Sequence, residues 1–95
     1  MNVRFHAAAR REVRPAKFWY VDRDPNSPQQ FQDELDDAIA TLSDFPLAGR
    51  PYIAGTRRLA LRSVPYALIY RVESSEVRII AVAHATQRPG YWANR

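Results

Sequence analysis

The chain contains no cysteine. That excludes a disulfide framework, a thiolate nucleophile and any cysteine metal site. Glycine is scarce, with only Gly49, Gly55 and Gly90, and they lie too far apart to form a loop that cradles phosphate. Two histidines, His6 and His84, are too few for a histidine-only metal site, and the carboxylates cluster on one helical segment away from them. No metal and no cofactor are therefore expected. Ser27, Ser43, Ser63, Ser74 and Ser75 show no nucleophile-elbow context. No apolar run approaches the roughly 20 residues needed to span a bilayer, and the amino terminus lacks the long apolar stretch of a secretory signal. A cytoplasmic protein with no membrane partner is the expectation. Lysine is almost missing as well: of the 14 basic residues only Lys17 is a lysine.

What the chain does have is arginine, unevenly placed. Its 95 residues and 46% hydrophobic content suit one domain, residues 1–95, with a single core. The net charge of +4 hides an asymmetry. Met1 to Phe45 carries six basic against eight acidic residues, whereas Pro46 to Arg95 carries eight arginines against Glu73 and Glu76 alone. Arginine presents a planar fork of donors that matches phosphate and carboxylate and stays charged when partly buried. Any single arginine is accounted for by solubility. As a set, Arg57, Arg58, Arg62, Arg71, Arg78 and Arg88 are candidates for holding an acidic partner, either nucleic acid or an acidic protein segment.

The pattern of apolar residues orders the elements. Asn2 to Ala7 alternates, with Val3, Phe5 and Ala7 opposite Arg4 and His6, which predicts a short strand whose polar pair faces solvent or a partner. Ala8 to Arg23 reads as a helix with Ala9, Val13, Ala16 and Tyr20 in one stripe. Pro15 should kink that helix or delay its start. Ser27 is placed to cap a second helix, with Pro28 at its first position and Gln30 closing a capping box. Phe31, Leu35, Ala38, Ile39 and Leu42 line one face of it, and Asp33, Glu34, Asp36 and Asp37 a solvated one. The two helices should form an antiparallel hairpin.

Pro46, Gly49, Pro51 and Gly55 make Phe45 to Thr56 irregular. Strands are then expected over Arg57 to Ser63, Tyr66 to Val72 and Val77 to Ala85, with a hairpin loop at Glu73 to Glu76. Tyr66 and Tyr70 share a face with Leu68 and should be core. The nearly all-apolar last strand should be central and covered on both faces. Tyr91 and Trp92 should pack the tail back onto the sheet. The fold class is α+β in the order β-α-α-β-β-β, a helical hairpin on a small, mainly antiparallel sheet.

These residues carry a resemblance to a known family. They are Phe5-His6-Ala7-Ala8-Ala9 entering a helix, Trp19-Tyr20 near its end, and Phe31-Gln32-Asp33-Glu34-Leu35 in the second helix. Phe45-Pro46 and Gly49-Arg50-Pro51 follow. Then come Arg57-Arg58-Leu59 with the run from Val64 to Val72, an acidic turn, and Val77 to His84. In this order the chain resembles the RelE/ParE superfamily of toxins from bacterial type II toxin–antitoxin systems, over nearly its whole length. Pro15 departs from the family's unbroken first helix.

The resemblance implies a partner antitoxin, in a hetero-oligomeric complex, whose tail wraps the toxin and holds it inactive. An arginine-rich groove suits an acidic, partly disordered peptide that folds as it binds. It implies one of two activities. RelE-like members are ribosome-dependent endoribonucleases that cut messenger RNA. ParE-like members lack that nuclease constellation and inhibit DNA gyrase. Metal-free RNA cleavage needs a base, an acid and cations for the charged phosphorane. On the RelE-like reading His84, Arg88 and Tyr91 would supply them, with Arg58, Arg62 and Arg71 as further clamps. The closing His84-x-x-x-Arg88-Pro89-x-x-Trp92 run and the near absence of lysine lean to the ParE-like side. An inert member that only binds its antitoxin and helps repress its own operon is the third reading.

Overall fold

Two helices cover one face of a five-stranded sheet, and the carboxy-terminal tail covers part of the other. The computed structural model describes residues 1–95. In chain order the elements are β1 (Asn2–Phe5), α1 (Ala7–Lys17), α2 (Ser27–Asp44), β2 (Arg50–Tyr52), a 3-10 turn (Ile53–Gly55), β3 (Thr56–Ala60), β4 (Tyr66–Glu73) and β5 (Glu76–His84). The sheet order is β1-β5-β4-β3-β2. β1 runs parallel to β5, with Val3 beside Val77 and Phe5 beside Ile79, and all other pairs are antiparallel. The α+β class and the mainly antiparallel sheet agree with the sequence, but there is one strand more.

That extra strand is β2. Its three residues lie in the stretch expected to be irregular. Pairing requires only that Arg50 meet Arg58 and Tyr52 meet Thr56. β2 is an edge strand, where a proline such as Pro51 is tolerated because one row of its backbone groups has no neighbour.

The first helix differs from expectation at both ends. It starts at Ala7, capped by His6, whose Nδ1 accepts from the Ala8 amide at 3.0 Å. His6 is therefore a helix cap, not one of a solvent-facing polar pair. The helix runs through Pro15 and stops at Lys17, not Arg23. Pro15 only removes the donor that would reach the Arg11 carbonyl, and the last turn closes on Phe18 N–H to Arg14 C=O and Trp19 N–H to Ala16 C=O. Phe18, Trp19 and Tyr20 consequently fall in a turn, and Tyr20 is exposed instead of extending the buried stripe of Ala9 and Ala16.

The second helix is entered differently too. Asn26 is the residue preceding it and makes no side-chain cap. Ser27 already belongs to the helix, and its hydroxyl is buried without a partner. Gln30 reaches Ser63 Oγ at 2.6 Å in place of closing a box. Glu34, assigned to the solvated face, is buried. It accepts from the Ser63 amide at 2.8 Å and from the Ser63 hydroxyl, which ties α2 to the β3–β4 connection. Burial alone would raise its carboxyl, but the two Ser63 bonds, the Arg62 amide and the Arg62 charge hold it below the usual carboxylate value.

The main core lies between helices and sheet. Phe31, Leu35, Ala38 and Leu42 of α2 and Ala9 and Ala16 of α1 meet Tyr66, Leu68, Tyr70, Val77, Ile79 and Val82. On the opposite face Trp92, 1% exposed, packs on Ile69, Ile80 and Ala81, with Tyr52 and Tyr91 beside it. β4 and β5 are thus apolar on both faces because both are covered. Burying an indole this completely contributes on the order of 3 kcal/mol.

Tyr70 links the core to the long connection after α2. Its hydroxyl donates to the Pro46 carbonyl at 2.8 Å and accepts from the Gly49 amide at 2.9 Å. Gly49 has to be glycine for lack of room: a Cβ there would lie 2.7 Å from the Tyr70 hydroxyl and 2.9 Å from the Arg58 carbonyl. Gly49→Ala is expected to cost about 1–3 kcal/mol through this overpacking. Urea unfolding checks it, the expected result being a lower midpoint with an unchanged slope.

Candidate functional site

The arginines expected to act together are divided among several places. Arg57 points to the α2-to-β2 connection, where Nη1 donates to the carbonyls of Gly49 at 2.8 Å and Leu47 at 3.4 Å. Arg62 pairs with Asp37 on α2 at 3.1 Å, both side chains well exposed. Arg71 bonds the carbonyls of Ala54 at 3.3 Å and Arg95 at 3.4 Å. Strand register places Arg4, Arg78 and Arg71 in one row across β1, β5 and β4. In that row only Arg4 has a carboxylate near it, Glu76 at 3.8 Å. Like charges side by side on neighbouring strands repel.

Arg58 and Arg88 do come together. With Tyr52, His84, Gln87, Tyr91 and Trp92 they line a cleft of about 60 Å³ between β3, the end of β5 and the tail. This is the one place where His84, Arg88 and Tyr91 all contribute. The cleft is positioned by the second core: Trp92 anchors the tail, and the tail carries Arg88 and Tyr91 over the sheet.

His84 Nδ1 and the Tyr91 hydroxyl, however, are engaged within the protein. His84 Nδ1 accepts from the Thr86 amide at 3.1 Å and lies 2.8 Å from Thr86 Oγ1. In the neutral ring the proton then sits on Nε2, which is buried and unpartnered. The imidazole lies 4.9 Å from the Tyr66 ring and 5.0 Å from that of Trp19. The Tyr91 hydroxyl donates to Glu12 Oε2 at 2.8 Å. Burial first, then the Glu12 hydrogen bond and charge, push that phenol well above its ordinary value. It stays protonated at any physiological pH.

Glu12 is the residue that sequence reasoning missed. Its carboxylate accepts from the Val82 amide at 3.0 Å, from Tyr91, and from Arg95 Nη1 at 2.8 Å and Nη2 at 3.0 Å. Arg95 Nη1 also donates to the Ile80 carbonyl at 2.9 Å, and its guanidinium lies over the Tyr91 ring. Burial would raise the Glu12 carboxyl. The bonds from Arg95, Val82 and Tyr91, with the Arg95 charge, outweigh burial and leave it below the ordinary 4.5. The one available signal was that Glu12 is the sole acid in the basic run Arg10 to Lys17.

This architecture, a helical pair on one face of a mainly antiparallel five-stranded sheet, is shared with solved toxin–antitoxin structures. A chromosomal ParDE toxin–antitoxin system from P. aeruginosa shares the fold, with a TM-score of 0.73 at 21% identity over 88% of this chain and 95% of that one. The toxin–antitoxin complex RelBE2 from Mycobacterium tuberculosis matches with a TM-score of 0.61 at 29% identity over 87% and 88% of the two chains. The toxin-named protein Y4kP of Sinorhizobium fredii is 35% identical over 71 residues, 73% of each chain. The family model described as the ParE toxin of the type II toxin–antitoxin system parDE matches residues 3–89. The chain belongs to the ParE toxin family.

The Glu12 network gives a pH-dependent prediction. A carboxyl depressed on folding contributes stability that is present above its unfolded value and lost as pH falls through its folded one. Glu12→Gln should cost about 2 kcal/mol at pH 7. The gap to the unaltered protein should close as the pH is taken below 4.5, the ordinary value for this carboxyl. Thermal melts at a series of pH values measure it, and a gap independent of pH would contradict the charge-based account.

Proposed function

We propose that the protein is a ParE-like toxin that inhibits DNA gyrase by binding and is neutralised by a cognate antitoxin. The observation that carries this reading is the Tyr91–Glu12–Arg95 network. It turns the tail's one phenol into a structural donor, so Tyr91 does not serve the cleft as a base, while Arg58 and Arg88 line the cleft as groups that hold anions. His84 lends the same support, since its accepting nitrogen is taken by Thr86. An endonuclease of this fold would need a base and an acid presented to the scissile phosphate. Inhibition by occupancy needs only shape and charge complementarity, which Arg58 and Arg88 can supply.

The family, and two structural neighbours described as a ParDE system and a RelBE2 complex, support an antitoxin partner on this reading. The working compartment on this reading is the cytoplasm, where gyrase and an antitoxin are met.

Purified protein should abolish supercoiling by gyrase and leave ribosome-bound messenger intact. Arg58→Glu with Arg88→Glu should raise the concentration for half-inhibition by at least about tenfold. Messenger cut on ribosomes, with supercoiling untouched and cleavage lost in His84→Ala, would overturn the proposal in favour of the RelE-like nuclease. A chain that does neither would mark the inert, co-repressing member.

A further inference from the structure

The row of Arg4, Arg78 and Arg71 holds more positive charge than its surroundings balance. The three are register neighbours on β1, β5 and β4. They alternate with residues of the main core: Val3 and Phe5 flank Arg4, Val77 and Ile79 flank Arg78, and Tyr70 precedes Arg71. Strand alternation therefore sends all three guanidiniums out of the face opposite the helices. The Arg4 side chain is 72% exposed, and Arg78 forms no ion pair. Arg71 gives two of its five donors to carbonyls at 3.3 and 3.4 Å and keeps its charge.

Two carboxylates lie on the hairpin side of the row. Glu76 precedes Arg78 on the same face, and Glu73 is its register partner on β4. Glu76 reaches Arg4 only at 3.8 Å, and an exposed pair of that length holds little. Arg4 and Arg78 border a cleft of about 360 Å³ where α1 begins. The helix start is not the source of the charge, since His6 already takes the Ala8 amide. The row also offers no open aromatic ring. Phe5 packs on the main core beneath Arg10, and Trp92 on the sheet's open face is 1% exposed.

We propose that the Arg4–Arg78–Arg71 row seats the phosphate backbone of duplex DNA. On the gyrase reading this is the DNA segment that gyrase holds, and the inference rests on that reading only for where the DNA is met. Charge and spacing select the occupant. Three adjacent strands span about 10 Å, two gaps of about 4.8 Å. Each strand of a duplex carries one charge per roughly 3.4 Å of axis, so the row faces about three consecutive phosphates. Guanidinium forks match phosphate oxygens. Contacts to phosphate position a protein without reading sequence. Single strands fit less well, because they are held by bases stacked on aromatic rings. Glu73 and Glu76 repel phosphates from the hairpin end, so the DNA strand lies across the β-strands.

Anisotropy of a short fluorescein-labelled duplex, without gyrase, tests the row between about 50 and 200 mM salt. Affinity should be independent of sequence. Its log–log slope against salt should be about −2.7, or about −0.9 for each of three phosphates. Arg4→Ala with Arg78→Ala should bring the slope to about −0.9. Glu76→Gln should tighten binding at least about twofold by removing the repelling charge, an effect that damage to the fold would not produce. Arg62→Ala, whose charge is paired with Asp37 on α2, should leave affinity within about twofold.

No binding at about 50 mM salt, or a slope unchanged in the double variant, would overturn the proposal. So would a larger loss from Arg58→Glu with Arg88→Glu at the cleft, or from Arg10→Glu with Arg14→Glu on α1. Equal affinity for a single-stranded oligonucleotide would overturn the choice of duplex. Displacement of the duplex by inorganic phosphate at constant ionic strength would assign the row to small anions instead. A parallel supercoiling assay separates the two readings. Inhibition of gyrase without duplex binding removes this inference and leaves the proposed function standing, and duplex binding without inhibition does the reverse.

Discussion

One carboxylate ties the first helix, the last strand and the tail together. Glu12 projects from the first helix and gathers the Val82 amide of the last strand, the Tyr91 hydroxyl and both Arg95 nitrogens of the tail. These groups lie 70 to 83 residues away in sequence. This closure adds the tail's charged anchor to the weaker bonds from Arg71 to the Arg95 carbonyl and from Arg95 to the Ile80 carbonyl. The network is satisfied on every side, the condition under which a half-buried charge stabilises instead of destabilising. It also sets the chemistry of the cleft, because a phenol committed to a carboxylate is not available as a base.

Placement, more than number, gives the arginines their meaning. Thirteen of the 14 basic residues are arginine, Lys17 being the exception. The structure spends several of them internally. Arg57 and Arg71 bind backbone carbonyls, Arg95 binds Glu12, and Arg62 pairs with Asp37. Those left without a carboxylate include Arg58 and Arg88 at the cleft, Arg78 on the open face, and Arg10, Arg11 and Arg14 on α1. The protein therefore shows cationic groups in distinct regions, not in a continuous cradle.

Much of the fold was legible because it depends on periodicity. The α2 stripe from Phe31 to Leu42, the alternation in β4 and the apolar β5 each follow from which face must be dry. What escaped depends on contacts between distant residues. β2 is three residues long and exists because β3 lies beside it, so no local pattern could announce it. Ser27 looked like a cap, but the turn at Asp24 to Asn26 shifts the helix entry by one residue. Glu34 looked solvated until Ser63, 29 residues on, was brought beside it. At the site, His84, Arg88 and Tyr91 were found as residues near one cleft. The bonds that decide their chemistry run to Thr86 and Glu12. Of those, Glu12 could be singled out only by its isolation among basic neighbours.

Strand order has one further effect, on the timing of assembly. β1 is the first element made, and its only neighbour in the sheet is β5, which is made last. Until residues 76–79 have been synthesised, the amino-terminal strand has nothing to pair with. The tail that latches the far face is later still. A growing chain can form its helices and the β3–β4 hairpin early, but it cannot complete the sheet before residues 76–79 of β5 have been made. Closure of this kind, joining strands more than seventy residues apart, lengthens the search for the native state. It also means that a polypeptide stalled midway carries neither a finished platform nor the cleft built upon it.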